Sequence, residues 1–167
     1  DIFSPGVYHL YDYQFFYRIL EQNVQDRISA FLGSAACSPE RGGCPAMNRE
    51  QVFAYAEAQF GTLPDYPWMD DNAVLRHGEN NKWYAVLLAV GRDRLGLPGG
   101  GTSEVINLKC GPILAGSLRT RECFHPSYHM NKDQWISIRL DGTVPAEEIR
   151  QFIDLSYKLT GPKKRKG

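Results

Sequence analysis

The sequence predicts an α+β fold: an antiparallel β-sheet packed with helices, preceded by an N-terminal helical extension. Three observations carry this. Helical and strand periodicities alternate unevenly along the chain, with strand patterns following one another before residue 110 and helical patterns on either side. The first two strand patterns are joined by residues 79–82 alone, a link short enough only for antiparallel neighbours. The strict strand–helix alternation that a doubly wound parallel sheet requires is missing.

Residues 11–32 read as a helix, because Phe16, Leu20, Val24, Ile28 and Phe31 share one face and Gly33 supplies a stop. Aromatics crowd its start (Tyr8, Tyr11, Tyr13, Phe15, Phe16, Tyr17), so its stripe is expected to dock on the following domain or on a second copy as a homodimer. Residues 33–47 have linker composition. Asn48 with Gln51 three positions on forms a capping-box pair, opening a helix that carries Val52, Ala56 and Phe60 and ends near Gly61. Ala73–His77 and Trp83–Val90 read as a hairpin turned by Glu79–Lys82. Gly91–Thr102 reads as a flexible Gly-rich hairpin loop. Glu104–Lys109 is a strand, and Pro112–Arg121 a helix with proline at its tolerated first position. In Gln134–Leu140, Trp135, Ser137 and Arg139 alternate with Ile136, Ile138 and Leu140, giving a strand with two distinct faces. Asp141-Gly142 turns the chain into a last helix, Pro145–Leu159. The expected domains are an extension and linker at 1–46, an α/β domain at 47–160 and a basic, disordered tail at 161–167.

The 167 residues are 43% apolar with 19 basic and 19 acidic groups, which excludes wholesale disorder and a histone-like polycation. No apolar run approaches the roughly 18 residues of a membrane span. The start at Asp1 lacks the pattern of a secretory signal, and the absence of an initiator Met suits a fragment or trimmed chain. Charge is uneven: the first 102 residues carry −4 and the last 65 carry +4, so an anion-binding function belongs in the C-terminal part.

Catalytic and metal chemistry find little footing. The four cysteines form no C-x-x-C pair; Cys37 and Cys44 flank a loop they could bridge, and free thiols of a cytoplasmic protein are the reading adopted. The 91–102 loop lacks the Gly-Lys-Ser/Thr ending of a phosphate loop and precedes a strand. His125 and His129 have the spacing of two ligands on a helix, but Pro126 argues against one. Asp65, Asp70 and Asp71 sit beside Pro67 as turn-formers. Cys110 beside Lys109 invites a lowered thiol pKa, weakened by the opposite directions of neighbouring strand residues. We therefore expect no catalytic residues, metal or cofactor, and a protein that is not an enzyme.

One segment does carry binding chemistry: Tyr128–Trp135 gathers His129, Asn131, Lys132 and Trp135, with Lys109 and Arg139 on nearby strands. Lys and Arg can hold phosphates while an aromatic stacks on a base and His129 and Asn131 donate hydrogen bonds. The competing reading puts Trp135 in the core, uses His129 and Asn131 to tie down a turn, and leaves Lys132 solvated.

From Met47 onward the chain resembles the MmcQ/YjbR family. The resemblance rests on Met47–Gln51, Asp65–Trp68, Lys82–Ala85, Asn107–Pro112, Pro126–Trp135, Asp141-Gly142 and Ile153–Tyr157. Departures are Gly111 where the family has Asp, a longer 91–102 loop, and the 46-residue extension. The resemblance implies a CyaY-like sheet and a DNA-binding role, with Lys109, His129, Asn131, Lys132 and Trp135 in the signature segments. The expectation is thus a non-enzymatic, cytoplasmic DNA-binding protein, with phosphates held by Lys109, Lys132, Arg139 and the Lys163–Lys166 tail. The rival is a protein-interaction or adaptor module using residues 11–32 and the sheet face.

Overall fold

Asn48 caps the helix that follows it as the sequence predicts. Its carboxamide oxygen accepts from the Gln51 amide at 2.9 Å, and the Gln51 side chain accepts from the Asn48 amide at 3.0 Å. The two donors that a helix start leaves orphaned are thereby satisfied reciprocally. The protein is described by a computed structural model that covers residues 46–162. The helix at 11–32, its dimer role, Cys37, Cys44 and the tail cations Lys163, Lys164, Arg165 and Lys166 lie outside the described residues.

Helix α1 (Arg49–Phe60) is followed by β1 (Ala73–Arg76), β2 (Trp83–Gly91), a 3₁₀ turn (Arg92–Leu95), β3 (Thr102–Lys109), α2 (Pro112–Leu118), β4 (Phe124–Pro126), β5 (Trp135–Arg139) and α3 (Ala146–Thr160). The strands form a five-stranded antiparallel sheet in the order β1-β2-β3-β5-β4. Four strands were legible in the sequence; β4 is the addition. It is three residues long and lies at the sheet edge, where the missing amide of Pro126 is tolerated.

Register fixes the two faces. Leu87, Ile106, Ile138 and Phe124 stand in one row, with Ala85, Leu108 and Ile136 in the next. These apolar rows face α3, whose Ile149, Phe152 and Ile153 are buried, and Phe124 meets Phe152 edge-on at 5.6 Å. Helix α1 lies beside α3: Phe60 stacks on Tyr157 at 3.9 Å, and the Tyr55 hydroxyl donates to Asp154 at 2.8 Å.

On the opposite face no α-helix packs against Val74, Val86, Leu88, Val90 and Val105 among the described residues, only the 3₁₀ turn through Leu95. The row Val74, Val86, Asn107, Ser137, His125 of this face is apolar at one end and polar at the other. Val74, Val86, Leu88, Val90 and Val105 form a small second core, covered by Leu95, Leu97, Trp83, Tyr128 and Met130. The 91–102 segment, read as a flexible loop, is therefore a packed turn: Leu95 is buried, and Leu97 donates its amide to the Arg92 carbonyl at 2.9 Å. A deeper tie holds the 126–130 segment down. Asn107, fully buried, donates to the Tyr128 carbonyl at 2.8 Å and accepts from the Ser137 hydroxyl. Polar groups buried in mid-sheet thus satisfy each other and clamp the loop, as burial demands.

Gly111 begins α2 at φ 81°, ψ 165°, a conformation essentially confined to glycine. The helix starts with no side-chain cap. The Gly–Pro pair sets the entry angle instead, with Pro112 at the first helical position.

Candidate binding face

The face opposite α3 carries the sequence-predicted site, but in altered form. Lys109, half-buried at the end of β3, is the cross-strand partner of Trp135 on β5. Asn131 accepts the amides of Gln134 and Trp135 on its carbonyl, and that of Asp133 on its side chain at 2.9 Å. It is therefore a turn-former. Lys132 stands exposed in that turn. Lys109, Asn131, Lys132 and Trp135 are thus brought together at one end of the β3–β5 pair.

Two of the residues are placed where the expected roles fail. Trp135 is 8% exposed, so its ring is covered and offers no surface to a nucleobase. Sequence alternation set its face correctly, but both faces of β5 are covered. Arg139, four residues along the strand, is 9% exposed and lies 3.3 Å from the Asp141 carboxylate. A buried guanidinium beside a carboxylate is not free to hold a phosphate. His129 is exposed, adopts φ 60°, and packs against Tyr128 with ring centroids 4.0 Å apart. It faces a different feature.

That feature is a cleft of about 390 Å³ on the β1–β2 side, lined by Trp68, Asp70, Asn72, Trp83, Val86, Leu88, His129 and Met130. Trp68 and Trp83 meet at 81° with centroids 5.5 Å apart. The loop before β1 leaves Tyr66, Trp68 and Met69 exposed, Met69 at 96%. Sequence reading passed over this loop because its acids and Pro67 looked like turn chemistry. The signal available was three large apolar residues within four positions of a polar loop. Sequence reading also missed Arg92 and Arg94. The Arg94 guanidinium lies over the Tyr128 ring at 5.4 Å, and Arg92 donates to the Pro98 carbonyl at 3.0 Å.

Two buried groups of this region, Cys110 and His125, depart from their ordinary values. Burial pushes the Cys110 thiol up to about 12, and nearby Arg119 offsets this only in part. A thiol so disposed is protonated at neutral pH and a poor nucleophile, opposite to the lowering that Lys109 suggested. His125, buried on β4, is held below its ordinary 6.5 by burial first and by the Arg139 cation second, with Asp141 opposing. Between the folded and unfolded values the unfolded chain binds more protons, so stability rises with pH in that window. His125 therefore contributes stability in full above pH 6.5, and this is lost as pH falls toward the depressed value. Urea midpoints measured between pH 5 and 8 are expected to fall on the acid side, and H125L should flatten that fall. Equal slopes for the two proteins would refute it.

Among the described residues, no group of three or more His, Cys, Asp or Glu side chains is placed to share a metal ion. None of the described helices is long and apolar enough to cross a membrane.

Fold and site together define an α+β sheet domain with helices on one face and a ligand-sized cleft on the other. The YjbR family model matches residues 57–159, and the chain belongs to that family. It is 43% identical over 116 residues to the uncharacterised protein YyaQ of Bacillus subtilis, spanning 68% of this chain and 98% of that protein. The uncharacterised protein YjbR of Escherichia coli is 39% identical over 54 residues, 32% of this chain and 46% of its own. A crystal structure of a Pseudomonas syringae protein matches with a TM-score of 0.67 at 44% identity, covering 69% of this chain and all (100%) of that one. The Deinococcus radiodurans protein DR2400 matches with a TM-score of 0.57 at 25% identity, covering 73% of this chain and 84% of its own.

Proposed function

We propose that this domain binds DNA through the face of its sheet opposite α3 and acts without catalysis. The observation that carries the reading is a set of four cations around this face without a carboxylate partner among the described residues, although Arg139 on the same face is paired with Asp141. Around the helices, Arg49, Arg121 and Arg150 are engaged by Glu104, Glu148 and Glu147. Arg92, Arg94, Lys109 and Lys132, around the other face, have no carboxylate partner among the described residues. Tyr128 links the two sets, since Arg94 lies on its ring and its segment leads into the turn that presents Lys132. Free cations facing solvent are what phosphate contact and counterion release require.

The described residues are not themselves basic. The cations of 163–166 account for the whole +4 of the last 65 residues. Binding is therefore expected to be weak, sequence-tolerant and strongly salt-dependent, with the tail adding to the face. The check is fluorescence anisotropy of labelled duplex DNA with the full chain at several salt concentrations. Three or four phosphate contacts predict a log–log slope of about −3. K132A should weaken binding alike for unrelated sequences and reduce the slope by about 1. Affinity no tighter than about 10⁻⁴ M at low salt, or a flat salt response, would overturn the reading.

A further inference from the structure

We propose that the two-tryptophan cleft is a binding site for a trimethylammonium group, separate from the cations assigned to DNA. Its walls are aromatic and set at right angles: Trp68 and Trp83 cross at 81° with centroids 5.5 Å apart. Val86 and Leu88 belong to the buried second core beneath, while Met130 and His129 line it from the 126–130 segment. The two indoles meet edge to face, and Trp68 keeps nearly half of its surface exposed at the cleft, where an electron-rich ring attracts a cation. The Trp83 ring already takes one cation this way, the Arg76 guanidinium at 5.4 Å.

Charge selects the ligand further. The loop 65–72 carries Asp65, Asp70 and Asp71 and no cation. Asp65 is engaged by Arg76 at 2.7 Å. Asp70, which lines the cleft, accepts only from the Asn72 amide and the Asn72 carboxamide, both at 2.9 Å. Those donors are neutral, so the Asp70 charge stands uncompensated among the described residues. A carboxylate at an apolar cleft repels phosphate, which excludes this cleft from the proposed DNA face. It attracts a cation. A primary ammonium or a guanidinium entering here could give an N–H to Asp70 but would leave its other N–H donors against indole, valine and leucine. A trimethylammonium has no N–H, and its methyls fit an apolar wall while its charge meets π faces and Asp70.

The site is also held in shape. Asn72, locked to Asp70, accepts the Ala89 amide at 3.2 Å and so ties the loop to β2. The large exposed surface of Trp68, 46% of the residue, is what a bound ligand would cover.

The test is an NMR titration of the full chain, following the indole N–H resonances of Trp68 and Trp83. The probes are choline and its neutral isostere 3,3-dimethylbutan-1-ol. Choline should shift both resonances saturably and bind at least about tenfold more tightly than the isostere. W68A and D70N should each weaken choline by about tenfold, with thermal midpoints near that of the parent. Sedimentation with phosphatidylcholine vesicles separates the sources: binding displaced by free choline assigns a lipid headgroup, and choline binding without sedimentation assigns a free solute. K132A should leave choline affinity unchanged, so failure of the DNA reading and failure of this one are distinct results. No saturable choline shift, equal affinity for the isostere, or full affinity in W68A would overturn the proposal.

Discussion

Replacing Arg121 with methionine is expected to destabilise the domain by about 3 kcal/mol. Arg121, just beyond α2, presents two guanidinium nitrogens to Glu148, at 2.5 Å and 3.3 Å from its two carboxylate oxygens. Glu148 is only 6% exposed and sits in the first turn of α3. Arg121 also lies over the Phe124 ring at 4.4 Å, so one side chain joins α2, β4 and α3. Methionine keeps much of the packing and removes the charge, leaving a carboxylate buried without a counter-ion. The helix N-terminus softens that loss, and Arg121 itself is partly exposed, which places the effect at the lower end of the range for broken buried pairs. Removing both partners should be milder than removing one: R121M/E148L is expected to recover most of the stability, because no lone charge remains. Urea denaturation of the single and double variants measures this. R121M within about 0.5 kcal/mol of the parent would mean that Glu148 finds water or another donor.

Signals that act within a few residues were legible in advance. The Asn48–Gln51 pair closes its box inside one helical turn, and Gly61 ends α1 in the left-handed conformation at φ 63°. The strand pattern of β5 follows from period-2 alternation and that of β2 from its apolar run, and their ends shift by a residue or two in the structure. What escaped was non-local. β4 is a strand only because Phe124, His125 and Pro126 find Ile138, Ser137 and Ile136 on β5. α2 stops at Leu118 where the sequence suggested Arg121, which frees Arg121 to reach Glu148.

The site shows the same division. Lys109 and Lys132 were recognisable as cations near one strand end, and cross-strand pairing brings them there. Arg139 was recognisable as a cation but not as a neutralised one, since Asp141 folds back beside it across the turn. Trp135 could be assigned a face but not its cover. The cleft is assembled from the loop before β1, from β2 and from residues 129–130. Each piece alone resembles an ordinary turn or strand.

Ser156→Ala removes a single oxygen and is expected to cost about 2–4 kcal/mol. The β2–β3 ladder runs only as far as Ala85 and Leu108, and just beyond it the two strands part. On β2 the cause is a bulge: Leu75 pairs with Ala85 and Arg76 with Trp83, so Tyr84 has no partner on β1. The bulge turns Tyr84 onto the helix side, where its ring meets Tyr157 at 5.0 Å and Phe60 at 5.7 Å. It also strands the Tyr84 carbonyl, and across the gap the Lys109 amide. The Ser156 hydroxyl, fully buried on α3, closes the gap by accepting from the Lys109 amide at 2.8 Å and donating to the Tyr84 carbonyl at 2.5 Å. Alanine leaves both backbone groups buried without partners, and the penalty is the desolvation of each. The thermal midpoint should fall by roughly 10 °C. Amide exchange at Lys109 should accelerate more than at Leu108, whose ladder bonds persist. Because Lys109 belongs to the proposed DNA face, S156A should also weaken DNA binding. A midpoint within about 2 °C of the parent would show that water or a strand shift satisfies these groups, and that α3 does not fix the position of Lys109.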